Sequence, residues 1–346
     1  MNPLLAVAAA VLLMPSPARA QDRGNIIGYV AAFKGLDPAI ELGGFENYTQ
    51  LDLAFVNPTP TGDVLGSDGL ACAPAGNGAM ISDAQLRRLV TTAHQAGAKV
   101  VASLGGAVIP SCGGDWTQLA APDLRLKVVA SIVEMVGRYD LDGIDIDLEG
   151  ELMTSIDGAG NYTPLVSALA AALHARSKVL TVATGSYPGG MVPDSSLSFF
   201  DVIGVMSYDQ VGPSWGAPGA EHSTYAQAEK DLALWLGKGV PASKLALGMP
   251  FYGRGFSSYR EGWSLKDISD AFGLQQLKTD VVGQLCGGCG YITYNGLPTL
   301  RRKAELAGAW GAGVMVWEIG QDLPGHDAIR QIDAGHKRGR DHARRH

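Results

Sequence analysis

Three acidic side chains occupy alternate positions of one short segment, residues 142–150. They are Asp145, Asp147 and Glu149, and isoleucine or leucine stands between them. Side chains alternate across a β-strand, so the three acids share one face and the apolar residues share the other. Because like charges at close range cannot all ionise cheaply, at least one carboxyl should keep its proton at neutral pH. The spacing therefore predicts an acid catalyst, in which one carboxyl donates a proton and a neighbour manages charge.

The acidic segment has two other interpretations. The D-x-D-x-E pattern by itself also fits a divalent metal site, because carboxylate oxygens bind such ions. A solvated edge strand is the second, although the alternating isoleucine and leucine residues are of the kind that packs beneath helices. We favour the catalytic interpretation and expect neither a metal nor a cofactor.

The elements that must position this segment follow an alternating pattern along the chain. Short β-branched and apolar runs predict eight strands, at residues 26–31, 51–57, 99–104, 143–149, 179–184, 202–208, 245–250 and 313–318. Amphipathic stretches of helical length lie at 83–96, 123–138, 163–176, 225–238 and 299–310. Asp83 and Asp123 are candidate N-caps, and Gly97 and Gly239 stand where helices should stop. The alternation predicts an α/β fold, a single-domain (β/α)8 TIM barrel.

A doubly wound open sheet is the competing architecture. It would usually carry a G-x-G-x-x-G loop after its first strand, and residues 28–35 form no such loop. In a closed barrel the active site lies at the C-terminal ends of the strands, where Glu149 is placed. The long connections after the second and seventh strands should line this site.

The composition is that of a folded, acidic chain. The 346 residues are 46% hydrophobic and 18% charged, with a net charge of −7, which argues against disorder and against nucleic acid as a partner. Residues 1–20 combine an apolar run with an A-x-A cleavage pattern, which predicts a signal peptide and a secreted or periplasmic protein without integral membrane association. We interpret residues 21–335 as one domain and the basic residues 336–346 as a disordered tail, and we expect a monomer.

The four cysteines allow three pairings. In an exported chain we expect two disulfides and prefer the pairs Cys72 with Cys112 and Cys286 with Cys289. A zinc site on the C-x-x-C of Cys286 and Cys289 is the alternative, which lacks a second nearby ligand pair.

The acidic segment, which begins with Asp142 and Gly143, resembles the D-G-x-D-x-D-x-E signature of glycoside hydrolase family 18, the chitinases and their relatives. Three further segments in the family's order strengthen this resemblance. They are the S-x-G-G of Ser103, Gly105 and Gly106, the M-x-Y-D of Met206, Tyr208 and Asp209, and the tryptophan of the last strand, Trp317. The resemblance also includes residues 247–254 and covers residues 25–334.

The resemblance implies a retaining glycoside hydrolase that uses substrate-assisted catalysis on β-1,4-linked N-acetylglucosamine chains, as in chitin. It implies that Glu149 is the acid and base, that Asp147 orients the substrate's acetamido group, and that Asp145 shares a proton with Asp147. Tyr208 would hydrogen-bond the acetamide oxygen, which is the nucleophile of this reaction.

The remaining residues of the motifs are implied to bind the sugar or to support the site. Trp317 would form the floor of the sugar pocket, and Met206 and Asp209 would complete its wall. Ser103, Gly105 and Gly106 would fix a tight turn beneath the site. Three aromatic residues at strand ends are weaker candidates for sugar contact, and they are Tyr29, Phe55 and Tyr252. A plain packing role is an equal alternative for each of them.

The chain departs from many relatives in the connection after the seventh strand. Residues 251–299 are too few for the full insertion domain of many chitinases, so we expect a shallower groove. Two related activities stay open, an endo-β-N-acetylglucosaminidase acting on N-glycans and a peptidoglycan hydrolase. A non-catalytic, lectin-like chitin-binding barrel is the alternative of another class, disfavoured because Glu149 is present.

Overall fold

A closed parallel β-barrel forms the centre of the protein. The computed structural model describes residues 23–76 and 78–345; the predicted signal peptide lies outside them. The barrel strands are β1 (Ile26–Ala31), β2 (Gln50–Val56), β5 (Lys99–Gly105), β6 (Gly143–Asp147), β7 (Val179–Thr184), β8 (Val202–Val205), β9 (Leu245–Pro250) and β14 (Gly313–Trp317). They close in the order β1-β14-β9-β8-β7-β6-β5-β2. The predicted single-domain (β/α)8 barrel is confirmed.

Helices surround the barrel. They are α1 (Leu36–Leu42), α2 (Asp83–Gln95), α3 (Trp116–Leu119), α4 (Pro122–Tyr139), α5 (Gly150–Gly158), α6 (Tyr162–His174), α7 (Tyr225–Gly237), α8 (Leu265–Phe272), α9 (Leu297–Trp310) and α10 (Asp327–Ala343). Of these, α2, α4, α6, α7 and α9 match the five predicted stretches. Among the described residues no helix combines the length and the apolar content needed to cross a membrane.

The helix boundaries differ from the prediction at two N-termini. Ser82, not Asp83, caps α2, because its side chain accepts a hydrogen bond from the backbone of Gln85 in a capping box. Asp123 lies inside the first turn of α4, after Pro122 at the first helical position. The predicted glycine stops are confirmed, since Gly97 and Gly239 both have positive φ, at 83° and 82°.

Strand β6 shows how the alternating sequence divides its side chains. Ile144 and Ile146 are 0% and 1% exposed and belong to the large apolar core between the barrel and its helices. Asp145 and Asp147 point the other way, into the barrel. The strand ends at Asp147, two residues earlier than predicted, and Glu149 becomes the residue before helix α5.

The connection after β9 folds as a small α+β unit. It contains a four-stranded antiparallel sheet in the order β11-β10-β13-β12, formed by β10 (Tyr252–Phe256), β11 (Gly262–Ser264), β12 (Val281–Gly283) and β13 (Tyr291–Thr293). Helix α8 packs beside this sheet. The connection thus forms a compact insertion in which the short strands pair with each other, and the shallower groove stays a prediction.

Both preferred disulfides are present in the structure. Cys72 is bonded to Cys112, which joins the connections that follow β2 and β5. Cys286 is bonded to Cys289 between β12 and β13, so these two cysteines do not form the alternative zinc site. The connection after β2 also contains a small hairpin of β3 (Leu65–Gly66) and β4 (Gly69–Leu70).

The predicted disordered tail is wrong as far as residue 343, because helix α10 continues through it. His336 is 1% exposed and its ring Nε2 lies 2.8 Å from the backbone oxygen of Ala312. Glycines allow the backbones of α10 and α9 to approach closely, since a Cβ atom on Gly335 or Gly339 would overlap carbonyl oxygens of α9. Lys337 and Arg338 of this segment are exposed on the outer face of a packed helix.

Candidate active site

Asp145 is the most tightly held of the three carboxylates. Tyr29 donates a hydrogen bond of 2.9 Å and Ser103 one of 2.7 Å to the Oδ2 atom, and Thr181 donates one of 2.7 Å to Oδ1. Burial raises the pKa of Asp145, and these three hydroxyl donors oppose the rise. The side chain is thus fixed from strands β1, β5 and β7, and its predicted neighbour Tyr29 acts here as a donor.

Asp147 lies one layer above Asp145 and is less satisfied. It is 3% exposed, and among the described residues its Oδ1 atom has no hydrogen-bond partner. Burial and the charges of Glu149, Asp145 and Asp52 raise the pKa of Asp147 well above its usual range. A carboxyl with these properties tends to share a proton with its neighbours. Its Oδ1 atom can accept a hydrogen bond from a donor group of a bound molecule.

Glu149 stands at the rim of the barrel, directly before helix α5. Burial, and secondarily the charge of Asp209, raise its pKa to about 7. A carboxyl with this pKa is suited to give up a proton and to take one back near neutral pH.

Asp52 is a fourth lumenal acid that the sequence interpretation missed. It is 1% exposed, accepts a hydrogen bond of 2.7 Å from Gln50, and its pKa is raised by burial and by Asp145. The signal for it was present, because Asp52 interrupts an apolar strand just as Asp145 and Asp147 do. Three carboxyls therefore share one low-dielectric interior, with Glu149 at its rim.

Asp209 is held in the charged form by two neighbours. Arg254 donates to both of its oxygens, at 2.8 Å and 2.6 Å, and the Nδ1 atom of His222 lies 3.3 Å from Oδ1. Burial opposes ionisation, yet the hydrogen bonds from His222 and Arg254 lower the pKa of Asp209 below its usual range. Neither Arg254 nor His222 was singled out from sequence, because both reach Asp209 from distant parts of the chain.

Tyr208 lies near Asp147, Glu149 and Asp209, and burial together with their charges raises its pKa. Its hydroxyl contacts the Met315 sulfur at 3.8 Å, and its ring meets Tyr252 edge-on at 6.2 Å between centroids. Met206 packs against the same apolar cluster inside the barrel. A cavity of about 280 Å³ opens here and is lined by Ser186, Tyr187, Met206, Tyr208, Gln227 and Asp231 among others.

Trp317 joins three aromatic side chains at the end of β14. Its ring lies 5.6 Å from that of Phe55 at 19° and 5.4 Å from that of Tyr29 at 53°. Phe33 extends this stack, at 6.4 Å from Trp317, and is 38% exposed. Phe33 was missed because a phenylalanine after a strand carries no pattern of its own.

The S-x-G-G segment supports the site through its backbone. A Cβ atom on Gly105 would meet the backbone oxygen of Asp147 at 2.5 Å, and one on Gly106 would meet the Phe55 ring at 2.6 Å. Both glycines have positive φ. Ser103 does more than turn the chain, since it also bonds Asp145.

The first residues of the acidic motif lie away from the cleft. Asp142 accepts a hydrogen bond from the backbone of Val100 and lies 2.8 Å from the ring Nε2 of His94, before β6 begins. Gly143 lets β7 approach, because a Cβ atom there would overlap the oxygen of Val179. Asp142 therefore ties strands and helix α2 together, at the end of β6 opposite Glu149.

The alternative interpretation of the acidic segment as a metal site finds no cluster of metal ligands among the described residues. Residues 23–76 and 78–345 contain no group of three or more His, Cys, Asp or Glu side chains arranged to hold a metal ion. Asp145, the central acid, uses its oxygens to accept the three hydroxyl donors.

The chain is similar to known proteins over most of its length. The sequence profile of Glycosyl hydrolases family 18 matches residues 25–322. A chitinase-like effector of Moniliophthora roreri is 30% identical over 243 residues, 63% of this chain and 55% of that protein. Probable chitinase 10 of Drosophila melanogaster is 25% identical over 313 residues, 75% of this chain and 13% of that protein. The chain thus spans less than two thirds of these relatives.

A solved structure extends the similarity to the whole fold. It is that of a chitinase from the chitin utilization locus of Flavobacterium johnsoniae, at 28% identity and a TM-score of 0.76. The match covers 90% of this chain and 94% of that one.

Proposed function

Because the chain belongs to glycosyl hydrolase family 18, we propose that it is a chitinase that cleaves β-1,4 linkages between N-acetylglucosamine units. The reaction would be substrate-assisted and would retain the anomeric configuration. The observation that carries the proposal is the position of Glu149, which has a pKa of about 7 and stands at the rim of a barrel filled with buried carboxyls.

Glu149 supplies the proton in this mechanism. At neutral pH a substantial fraction of a carboxyl with a pKa of about 7 is protonated, so it can donate to the glycosidic oxygen as the bond breaks. The carboxylate that results then takes a proton from the water that completes hydrolysis. Glu149 is therefore the acid in the first step and the base in the second.

The nucleophile is the carbonyl oxygen of the substrate's own N-acetyl group. Asp147 orients this group, and the Oδ1 atom without a protein partner among the described residues can accept the acetamido N–H. The cyclic oxazolinium that forms is positively charged, and a carboxylate in a dry barrel stabilises it far better than water would. Asp145 shares a proton with Asp147 within the buried acid cluster.

Tyr208 and Trp317 place the reacting sugar. The Tyr208 hydroxyl touches only a weak acceptor, the Met315 sulfur, among the described residues, so it can donate to the acetamide oxygen. The flat face of Trp317 suits the apolar face of a sugar ring. Phe55 and Phe33 continue the aromatic surface away from the acids. The two disulfides suit a secreted or periplasmic enzyme.

A substitution of the acid tests the proposal. We expect Glu149→Gln to lower kcat on chitotetraose by about 10²–10⁴-fold, the usual contribution of a general acid, while chitotetraose binding persists. Glu151→Gln is the matched control, because Glu151 is an exposed residue of the adjoining helix. Calorimetry with the Glu149→Gln variant measures binding separately from turnover.

Two results would contradict the proposal. Full turnover by Glu149→Gln would show that another group is the acid. A wild-type chain that binds chitotetraose without cleaving it would belong to the lectin-like class. Assays with an N-glycopeptide and with peptidoglycan in parallel identify the two related activities, since preferential cleavage of either would replace chitin as the substrate.

A further inference from the structure

Lys303 is a buried lysine that the proposed mechanism does not use. It lies on α9, is 0% exposed, and donates three hydrogen bonds to neutral acceptors. These are the backbone oxygen of Ser223 at 2.9 Å, the Ser223 Oγ atom at 2.7 Å and the Asn295 Oδ1 atom at 2.7 Å. Burying an ammonium group is unfavourable unless its protons are all bonded, so this arrangement is specific.

The N–H donors of Lys303 determine which atoms of its partners accept hydrogen bonds and which are left to donate. An ammonium group only donates, so Ser223 must accept from it and direct its own proton elsewhere. That proton goes to the backbone oxygen of Ser207, at 2.7 Å. Asn295 likewise uses its oxygen for Lys303, which leaves its Nδ2 atom to donate to the backbone oxygen of Ser223 at 2.7 Å.

A partner of Lys303, Ser223, contacts the residues that carry Tyr208 and Asp209, residues 207–210, here called the catalytic segment. Residues 222 and 223, here called the clip, contact residues 207–210 at three points. Ser223 bonds Ser207, His222 lies 3.3 Å from Asp209, and the backbone of Gln210 donates to the His222 oxygen at 3.0 Å. The clip therefore holds the backbone on both sides of Tyr208.

The small insertion holds the clip from the opposite side. Thr293, the last residue of β13, accepts a hydrogen bond from the backbone of His222 at 3.2 Å. Asn295 follows two residues later and bonds Ser223. Helix α9 and the insertion thus meet the catalytic segment through the same two residues.

We propose that Lys303 is a positioning residue, which fixes Tyr208 and Asp209 for catalysis through the clip. This inference rests on the proposed function. It assigns a role to the insertion as well, because the insertion supplies the other half of the support. A misplacement of a catalytic group by about 1 Å can lower a rate by about 10²-fold, so support of this kind is sufficient to control kcat.

The test removes the ammonium group and keeps the length of the side chain. We expect Lys303→Met to lower kcat on chitotetraose by about tenfold and to leave KM within about twofold, because the aromatic sugar surface is untouched. Ser223→Ala should lower kcat in the same way, since it removes the donor to Ser207. Arg301→Met, which removes an exposed cation from the same helix, should leave kcat unchanged.

A double-mutant cycle separates positioning from general support of the fold. In a Tyr208→Phe background, Lys303→Met should lower kcat by a smaller factor than in the wild type, because one of the groups it positions is already lost. An equal loss in both backgrounds would overturn the inference, as would a Ser223→Ala variant with the kcat of the wild type.

The structure of the variant provides a readout that does not depend on turnover. A crystal structure of Lys303→Met should show residues 207–209 displaced, and an unmoved segment would overturn the inference. If the wild type fails to cleave chitotetraose, the proposed function fails, while this structural comparison still decides whether Lys303 positions Tyr208.

Discussion

Glu149 and Asp209 are both carboxylates near the cleft, and their surroundings drive their pKa values in opposite directions. Burial raises the pKa of Glu149 to about 7. Asp209 is partly buried, but Arg254 and His222 donate to it and keep it charged. The charge of Asp209 then contributes to the raised pKa of Glu149. Residues of one chemical type thus gain different functions from the donors around them.

This coupling predicts a pH dependence. The acid proposed for this reaction, Glu149, must be protonated, so we expect activity to fall as pH rises through its pKa. Replacing Asp209 by Asn removes a negative charge and leaves Arg254 unneutralised, and both changes lower that pKa. We expect the basic limb of the pH profile of kcat/KM to shift down by about one pH unit in Asp209→Asn.

The control for this prediction is Asp194→Asn. Asp194 is exposed and paired with Lys238 on the surface, so its loss should leave the profile in place. A basic limb that stays fixed or moves to higher pH in Asp209→Asn would show that the two groups are not coupled as described.

At the scale of elements, α9 and α10 illustrate how composition can mislead. The last residues of the chain are strongly basic, yet glycines at 335 and 339 present a smooth surface to α9. Ile329 and Ile332 of the same helix are fully buried in the core. Arg338 on the outer face pairs with Glu305 of α9 at 3.1 Å. The charges mark the solvent side of a helix that packs by its small and apolar residues.

A larger side chain at this helix contact should destabilise the barrel. We expect Gly339→Leu to lower the free energy of unfolding by about 1–3 kcal/mol, because its Cβ atom would overlap the Glu305 carbonyl oxygen. Lys337→Leu places the same side chain on the exposed face and should have little effect. Denaturant unfolding measures both variants, and equal stability of the two would contradict the helix contact.

At the scale of the whole molecule, the two disulfides differ in how much chain they enclose. Cys72 and Cys112 are 40 residues apart, whereas Cys286 and Cys289 are separated by 3. A covalent link reduces the entropy of the unfolded chain more when it closes a longer loop. The first disulfide also joins two barrel connections, while the second closes a turn within the insertion.

Removal of each disulfide should therefore have a different effect. Chain entropy predicts a loss of about 4 kcal/mol for the double variant Cys72→Ser/Cys112→Ser and about 2 kcal/mol for Cys286→Ser/Cys289→Ser. Denaturant unfolding of the two variants under the same conditions compares them directly. A larger loss for the second pair would mean that native-state packing, not loop closure, decides their contributions.

The sequence by itself determined the barrel, its approximate strand positions and the acidic segment with Glu149, which lies two residues beyond the end of the observed strand. It could do so because these features are periodic, and a local pattern of alternating side chains needs no knowledge of distant residues. The motifs added the implied roles of Tyr208 and Trp317. The signal peptide stays a prediction, since residues 1–20 lie outside the described part.

Only the tertiary structure decided which distant residues complete the site. Arg254 and His222 reach Asp209, Asp52 joins the buried acids, and Lys303 bonds Ser223 from a helix 80 residues farther along the chain. Tertiary structure also decided the packing of helix α10, because its glycines allow a close approach that only the contact with α9 requires. The physical reason is that burial and hydrogen-bond partners, which set charge and position, arise from contacts between segments far apart in sequence.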